Sequence, residues 1–267
     1  MKIGTTTYEG ICYGPIHSRR LGQSLGINLM PGERKLCSFN CVYCECGWNG
    51  GVRPGSGEKG EQEKPVLPTR EQVKTALEVA LKGIKAGLDV ITFSGNGEPT
   101  LHPDFNGIIR DTRELRDRYF PSAKITVLSN STQLGREDVR EGLMLCDNPI
   151  LKMDAATDEM MRRIDLPVSE NFNTTILKQW LGLFKGDFTL QTCLLRGEMD
   201  GKKIDNTTPE EVEAWYRAVD ELRPKQIMLY AIDRKTPLES LEKVSGEEME
   251  RIARPLRDKG YNISISL

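Results

Sequence analysis

The chain has 267 residues, with 37 Lys plus Arg against 39 Asp plus Glu and a net charge of −2. At 38% hydrophobic and 28% charged, it is a globular chain with a sizeable core, in one large domain or two small ones, and not a disordered or fibrous one. The near balance of charge removes bulk phosphate neutralisation as an argument for a nucleic-acid partner, and no apolar run approaches the roughly 18 residues of a membrane span.

The opening residues carry no apolar signal core, so a cytoplasmic protein without a membrane partner is expected. Apolar and β-branched runs predict strands near Gly26–Leu29, Asp89–Ser94, Lys124–Ser129, Ile150–Met153, Asp187–Leu194 and Gln226–Ile232. Between them lie helical patterns. Over Thr69–Ala86, Val73, Leu77, Ala80, Leu81 and Ile84 share one face, and Thr69 with Gln72 forms a capping box behind Pro68. Thr208 with Glu211, and Ser245 with Glu248, open two more helices; Pro255 is expected to kink or split the last before Gly260 ends it. Strands alternating with helices predict an α/β protein with parallel pairing, either an open sheet or an incomplete barrel. Residues 49–66 form a polar loop rich in Gly and Pro, placed to act as a lid or as a surface insertion.

Seven cysteines are present, and Cys37, Cys41, Cys44 and Cys46 fall close together. Thiols this close in a chain without an export signal predict a soft metal or an iron–sulfur cluster. A structural zinc site would want four ligands, usually in two separated pairs. Here there is one compact loop, and the two histidines, His17 and His102, belong to no spaced ligand pair. Three cysteines in such a loop suit a four-iron cluster with one iron left free of protein ligands. Two other patterns are decoys. Gly22-Gln-Ser24-Leu-Gly26 does not join a strand to a helix as a nucleophile elbow must, and Gly55-Ser-Gly57-Glu-Lys-Gly60 follows no apolar strand. His102 is expected to start a helix, with Pro103 in its first position, and not to act as an acid or base.

The run Cys37-Ser-Phe-Asn-Cys41-Val-Tyr-Cys44 resembles the signature of the radical S-adenosylmethionine (radical SAM) superfamily. Val90-Ile-Thr-Phe-Ser-Gly-Asn-Gly-Glu98-Pro99-Thr100 is similar to that family's glycine–glutamate segment after its second strand. The opening Gly14-Pro-Ile-His-Ser-Arg-Arg-Leu-Gly-Gln-Ser-Leu-Gly-Ile-Asn28 resembles the branch holding the wyosine tRNA-synthesis enzymes and uncharacterised relatives, and the likeness spans roughly residues 14–232.

The resemblance implies an incomplete (β/α)6 parallel barrel, taken as one domain over residues 1–267. It implies a 4Fe–4S cluster on Cys37, Cys41 and Cys44, with Cys46 a spare thiol. It further implies S-adenosylmethionine cleaved reductively to a 5′-deoxyadenosyl radical that abstracts hydrogen from a substrate. Tyr43 would approach the adenine, Gly95, Gly97 and Glu98 the methionyl ammonium, and Ser129 and Asn130 the ribose or carboxylate. Lys152, Asp154 and Gln191 are weaker candidates, and an internal salt bridge is the plainer reading of Lys152 and Asp154. Arg19 and Arg20 could clamp a carboxylate or phosphate or be solvated charges, and Tyr230 and Arg234 at the last strand end could serve the site or be a packing tyrosine and a surface arginine. An electron donor of flavodoxin or ferredoxin type is implied, with the substrate undefined and tRNA or protein among its classes. The competing readings are a non-catalytic iron–sulfur or zinc protein, a glycyl-radical activating enzyme and a tRNA modifier.

Overall fold

Ten strands and seven α-helices follow one another among residues 7–18, 21–60 and 65–267, which the computed structural model describes. Strands β1 (Cys12–Ser18) and β2 (Gly22–Ile27) form an antiparallel pair at one sheet edge. From β2 the sheet runs parallel through β3 (Val90–Phe93), β4 (Lys124–Ser129), β5 (Asn148–Lys152) and β6 (Thr189–Met199). Two short strands, β7 (Lys202–Asp205) and β9 (Glu242–Lys243), pair antiparallel with the far end of β6, and β8 (Gln226–Ala231) lies parallel beside its first half. Last comes β10 (Ile263–Ser266), parallel to β8.

Parallel neighbours cannot be joined by a tight turn, so each crossover carries helix. These are α1 (Arg70–Gly83) before β3, α2 (Phe105–Tyr119) before β4, α3 (Glu137–Met144) before β5, α4 (Asp158–Ile164) and α5 (Thr174–Gly182) before β6, α6 (Pro209–Leu222) before β8, and α7 (Gly246–Asp258) before β10. The order β1-β2-β3-β4-β5-β6-β8-β10 leaves β1 and β10 at opposite ends, a curled sheet that is not closed. The incomplete parallel barrel is therefore present, with β10 joined to the six expected strands.

A sheet covered on both faces buries every residue of its central strands. All four residues of β3 are buried, and Leu25, Ile27, Ile91, Phe93, Ile125 and Val127 meet Leu77, Leu81, Phe105 and Ile109 of α1 and α2 in one core. The capping box at Thr69 is formed, Thr69 accepting from the Gln72 amide while the Gln72 side chain accepts from the Thr69 amide. Thr208 and Ser245 cap α6 and α7 as expected.

Several expectations are corrected. The first parallel strand lies earlier than expected, at Gly22–Ile27, because the chain leaves the sheet at Asn28 to bind Tyr8 and Met30 carbonyls. That strand also contains the serine-hydrolase-like pattern, which forms no turn into a helix. Helix α7 runs unbroken through Pro255 and stops before Gly260, whose φ is 93°. Pro103 does not begin α2; its N-cap is Asp104, and His102 instead ends a 3-10 turn over Pro99–Leu101. In the polar loop Asn49–Gly51 is a 3-10 turn and Arg53 pairs with Asp200, 2.7 Å away, in the turn between β6 and β7. Arg19, Arg20 and the loop residues 61–64 lie outside the described residues.

Candidate active site

The cysteine loop leaves the end of β2 and is fixed on both sides by main-chain bonds. The Leu36 amide donates to the Asn96 carbonyl at 2.8 Å and the Leu36 carbonyl accepts from the Glu98 amide at 3.1 Å, so Leu36 extends the sheet edge beside Gly97. On the other side the Asn40 amide donates to the Asp165 carbonyl and the Val42 amide to the Ile164 carbonyl, both at 2.9 Å. Asn49 closes the loop on itself, accepting from the Cys37 amide at 2.9 Å and donating to the Cys37 and Phe39 carbonyls. Neither Asn49 nor Asn96 carries a sequence signal. Asn96 is fully buried and donates to the Tyr8, Pro31 and Gly32 carbonyls, which turns it away from the cavity while Gly95 and Gly97 face it.

That cavity, about 290 Å3, opens at the carboxyl edge of the parallel strands, where ligands of open α/β sheets bind. Cys37, Cys41 and Cys44 border it from the loop, Gly95, Gly97 and Glu98 from the end of β3, Ser129 and Asn130 from β4. Lys152 reaches it from β5, Gln191 from β6 and Tyr230 from β8. Among the described residues expected at the site, Asp154 does not line it. Cys46 also stays off the wall, its thiol donating to the Gly95 carbonyl at 3.3 Å.

The two glycines are required by close approach. Gly95 and Gly97 have φ of 118° and 143°, and a Cβ on Gly97 would overlap the Leu36 carbonyl, while one on Gly95 would meet Asn28. Their bare backbone lets peptide carbonyls form the cavity wall.

Glu98 does more structural work than expected. It is 2% exposed, its Oε1 accepts from the Thr100 amide and hydroxyl and from the Ser129 hydroxyl, and its Oε2 accepts from the Asn130 amide at 2.6 Å. Burial pushes its carboxyl up from the usual range, and these donors oppose that shift. The carboxylate thus pins the ends of β3 and β4 together. Asn130 in turn donates to the Cys37 sulfur at 3.4 Å and to the Ser38 hydroxyl at 2.9 Å.

Tyr43 enters a buried ionic network. Its hydroxyl donates to Asp154 and accepts from the Lys152 ammonium at 2.5 Å, and Lys152 also reaches the Tyr230 hydroxyl at 3.1 Å. Lys152 and Asp154 stand 3.6 Å apart, the internal ion pair that strand alternation allowed. Asp154 is held by the Cys193 amide at 2.7 Å. Beside it Asp165, which the sequence did not single out, accepts from the Cys41 thiol at 3.5 Å; burial first, then Asp154, pushes the Asp165 carboxyl well up. Desolvation works against the Lys152 charge, but Asp154, Tyr230 and Cys41 together outweigh it and hold the ammonium well above its ordinary pKa. Gln191 is buried and donates to the Met228 sulfur at 3.4 Å. At the mouth Arg234 pairs with Glu45 at 2.6 Å.

His102 is 2% exposed, accepts from the Asp104 amide at Nδ1 and therefore donates from Nε2 to the Pro68 carbonyl at 2.7 Å, a structural link far from proton transfer.

Burial raises the thiols of Cys37, to about 11, and of Cys41. Cys44 goes the other way, lowered by its contact with Cys46 against desolvation and further by Lys35. A metal charge would deprotonate the other two outright. Among the described residues no three His, Cys, Asp or Glu side chains close on one point to hold a single ion. The thiols instead edge a cavity, an arrangement suited to a polynuclear cluster larger than one ion. A buried lysine and an asparagine N–H aimed at sulfur fit the negative charge such a cluster carries.

A family model of the radical SAM superfamily matches residues 35–180, more than half of the chain. The chain is 30% identical over 242 residues to a GTPase Obg of Brachyspira hyodysenteriae, covering 90% of this chain and 32% of that protein. It is 31% identical to the UPF0026 protein slr1464 of Synechocystis sp., covering 88% of this chain and 79% of that one. The UPF0026 protein of Helicobacter pylori is 28% identical, and the chain spans 58% of its length. Among solved structures, TYW1 with a lysine-pyruvate adduct bound aligns over 89% of this chain and 74% of its own, with a TM-score of 0.59 at 16% identity. SuiB of Streptococcus suis bound to S-adenosylmethionine aligns over 87% and 48%, with a TM-score of 0.57 at 13% identity. These likenesses place the fold, and the family match covers both the cysteine loop and the glycine-edged strand end built around one cavity: the chain belongs to the radical SAM superfamily.

Proposed function

We propose that the chain, as a single domain, binds a 4Fe–4S cluster through Cys37, Cys41 and Cys44, chelates S-adenosylmethionine in the same cavity and removes hydrogen from a substrate at the cavity mouth. The observation that carries this reading is the meeting of three thiols and the Gly95–Glu98 strand end in one cavity at the carboxyl edge of a parallel sheet. The sheet that runs unbroken from β1 to β10 supports one domain. When bound, the cluster supplies the electron that cleaves the sulfonium, and the 5′-deoxyadenosyl fragment takes a hydrogen atom from the substrate.

The rest falls to the protein: binding, orientation and exclusion of water. Gly95 and Gly97 offer carbonyls to the methionyl ammonium. Glu98 acts chiefly through others, holding Ser129 and Asn130 where they face the cofactor. Lys152, kept charged by Asp154 and flanked by Tyr43 and Tyr230, faces the anionic end of the ligand or substrate. Tyr43 serves this network through its hydroxyl as well as offering a ring edge to the adenine. The outer wall, with Gln191, Thr236, Arg234 and Ser266, takes the substrate. A reductant of flavodoxin or ferredoxin type supplies the electron.

The test is anaerobic reconstitution with iron and sulfide, followed by the electron paramagnetic resonance (EPR) spectrum of the reduced protein with and without S-adenosylmethionine. A four-iron signal altered by the ligand is expected. A zinc-loaded protein, or a four-iron signal indifferent to the ligand, would contradict the reading and favour a binding or electron-transfer protein.

A further inference from the structure

Lys35 stands two residues before Cys37, and nothing in the sequence marks it out. Its flanking residue Leu36 is clamped to Asn96 and Glu98 by main-chain bonds. It is 4% exposed and lines the cavity with the three cysteines. The ammonium donates to the Gly47 carbonyl at 3.0 Å, beyond the last cysteine of the loop. Among the described residues no carboxylate forms an ion pair with it. A buried lysine is costly unless an anion accompanies it. The sulfur-bearing side chains that border the same cavity are Cys37, Cys41 and Cys44, where a bound cluster would bring the negative charge.

We propose that Lys35 is the resident counter-charge of the cluster and raises its reduction potential, an inference that rests on the function proposed above. A four-iron cluster on three thiolates is anionic and gains a further negative charge when reduced. A fixed cation beside it stabilises the reduced form more than the oxidised one, and local charge is among the factors that set such potentials. Lys35 is therefore a positioning residue for charge. Its bond to Gly47 also staples the loop, and the two roles separate by substitution: Lys35→Arg keeps the charge, Lys35→Gln keeps a donor for Gly47 without charge, and Lys35→Met keeps neither.

The experiment is an EPR-monitored redox titration of reconstituted wild type and these three variants, with iron and sulfide content and circular dichroism measured on the same samples. The expected result is a midpoint shifted to more negative potential in both K35Q and K35M, with K35R close to wild type. If the neutral variants fold but assemble no cluster while K35R does, the charge requirement is equally upheld. Midpoints in K35Q and K35M equal to that of wild type would overturn the proposal, as would three folded variants that all fail to hold iron, since shape and not charge would then be the requirement. A wild type that assembles no four-iron cluster removes the function proposed above, and this inference with it.

Discussion

Glu98 shows how one side chain can shape a cavity wall through its neighbours. Its carboxylate receives four donors from two strand ends, and an amide in its place would turn an N–H toward a donor. Glu98→Gln is expected to lower stability by about 1–3 kcal/mol in urea denaturation and to weaken S-adenosylmethionine binding in calorimetry; unchanged binding would deny Glu98 its part in placing Ser129 and Asn130. Lys152→Met leaves Asp154, fully buried, beside Asp165 with no cation, and should cost about 3 kcal/mol. Adding Asp154→Asn should recover part of that loss, because paired residues are not additive. Cys46→Ala is expected to retain the full iron content, since that thiol points to the Gly95 carbonyl. The three cysteines, the two glycines and Glu98 that meet at the cavity could be singled out because they are close in sequence. Lys35, Asn49, Asn96 and Asp165 were not, because each acts through contacts formed only when the chain folds. Tyr43 was read from its place before Cys44, yet the partners that orient its hydroxyl lie on β5 and just beyond it.

At the scale of elements, legibility followed burial. Strands β3, β4 and β8 lie almost where their apolar runs put them, because burial on both faces writes itself as continuous hydrophobicity. Edge strand β1 is largely exposed and contains Gly14 and Pro15, while β7 and β9 are mostly charged, so none of the three has such a run. Only β10, Ile-Ser-Ile-Ser, shows the alternation of a strand, over too few residues to stand out. Helices α1, α6 and α7 announced themselves by their caps, whereas α2 and α3 have no side-chain cap. Thr69→Ala should cost about 1 kcal/mol by removing the α1 cap.

Helices α1 and α2 are also clamped by Arg70, whose Nε and Nη2 reach the two carboxylate oxygens of Asp111 at 2.6 and 2.9 Å. That hydrogen bond holds the Asp111 carboxyl below its ordinary value. A depressed carboxyl stabilises the fold above the unfolded value, about 3.9, and loses its effect as pH falls through the folded one. Asp111→Asn should therefore lower the unfolding free energy from urea denaturation at about pH 6 by about 0.5–1 kcal/mol, with the gap closing in acid. A gap that is constant with pH would show that packing, not charge, is what the substitution removes.

For the whole molecule, the parallel sheet gathers the chemistry at one edge. Every crossover returns the chain so that the next strand points the same way, and the loop after β2 and residues of or just after β3, β4, β5, β6 and β8 reach the cavity. Alternating strands and helices made that architecture readable. Which substrate enters was not readable, since the outer wall is assembled from single residues of distant strands. No described helix is long and apolar enough to cross a membrane. The most direct measurement is turnover of S-adenosylmethionine by the reconstituted, reduced protein, following 5′-deoxyadenosine and methionine in wild type and in a Cys37, Cys41, Cys44 triple alanine variant. Equal formation of the two products, abolished in the variant, is predicted. An intact four-iron cluster that never cleaves the ligand would contradict the proposed reaction.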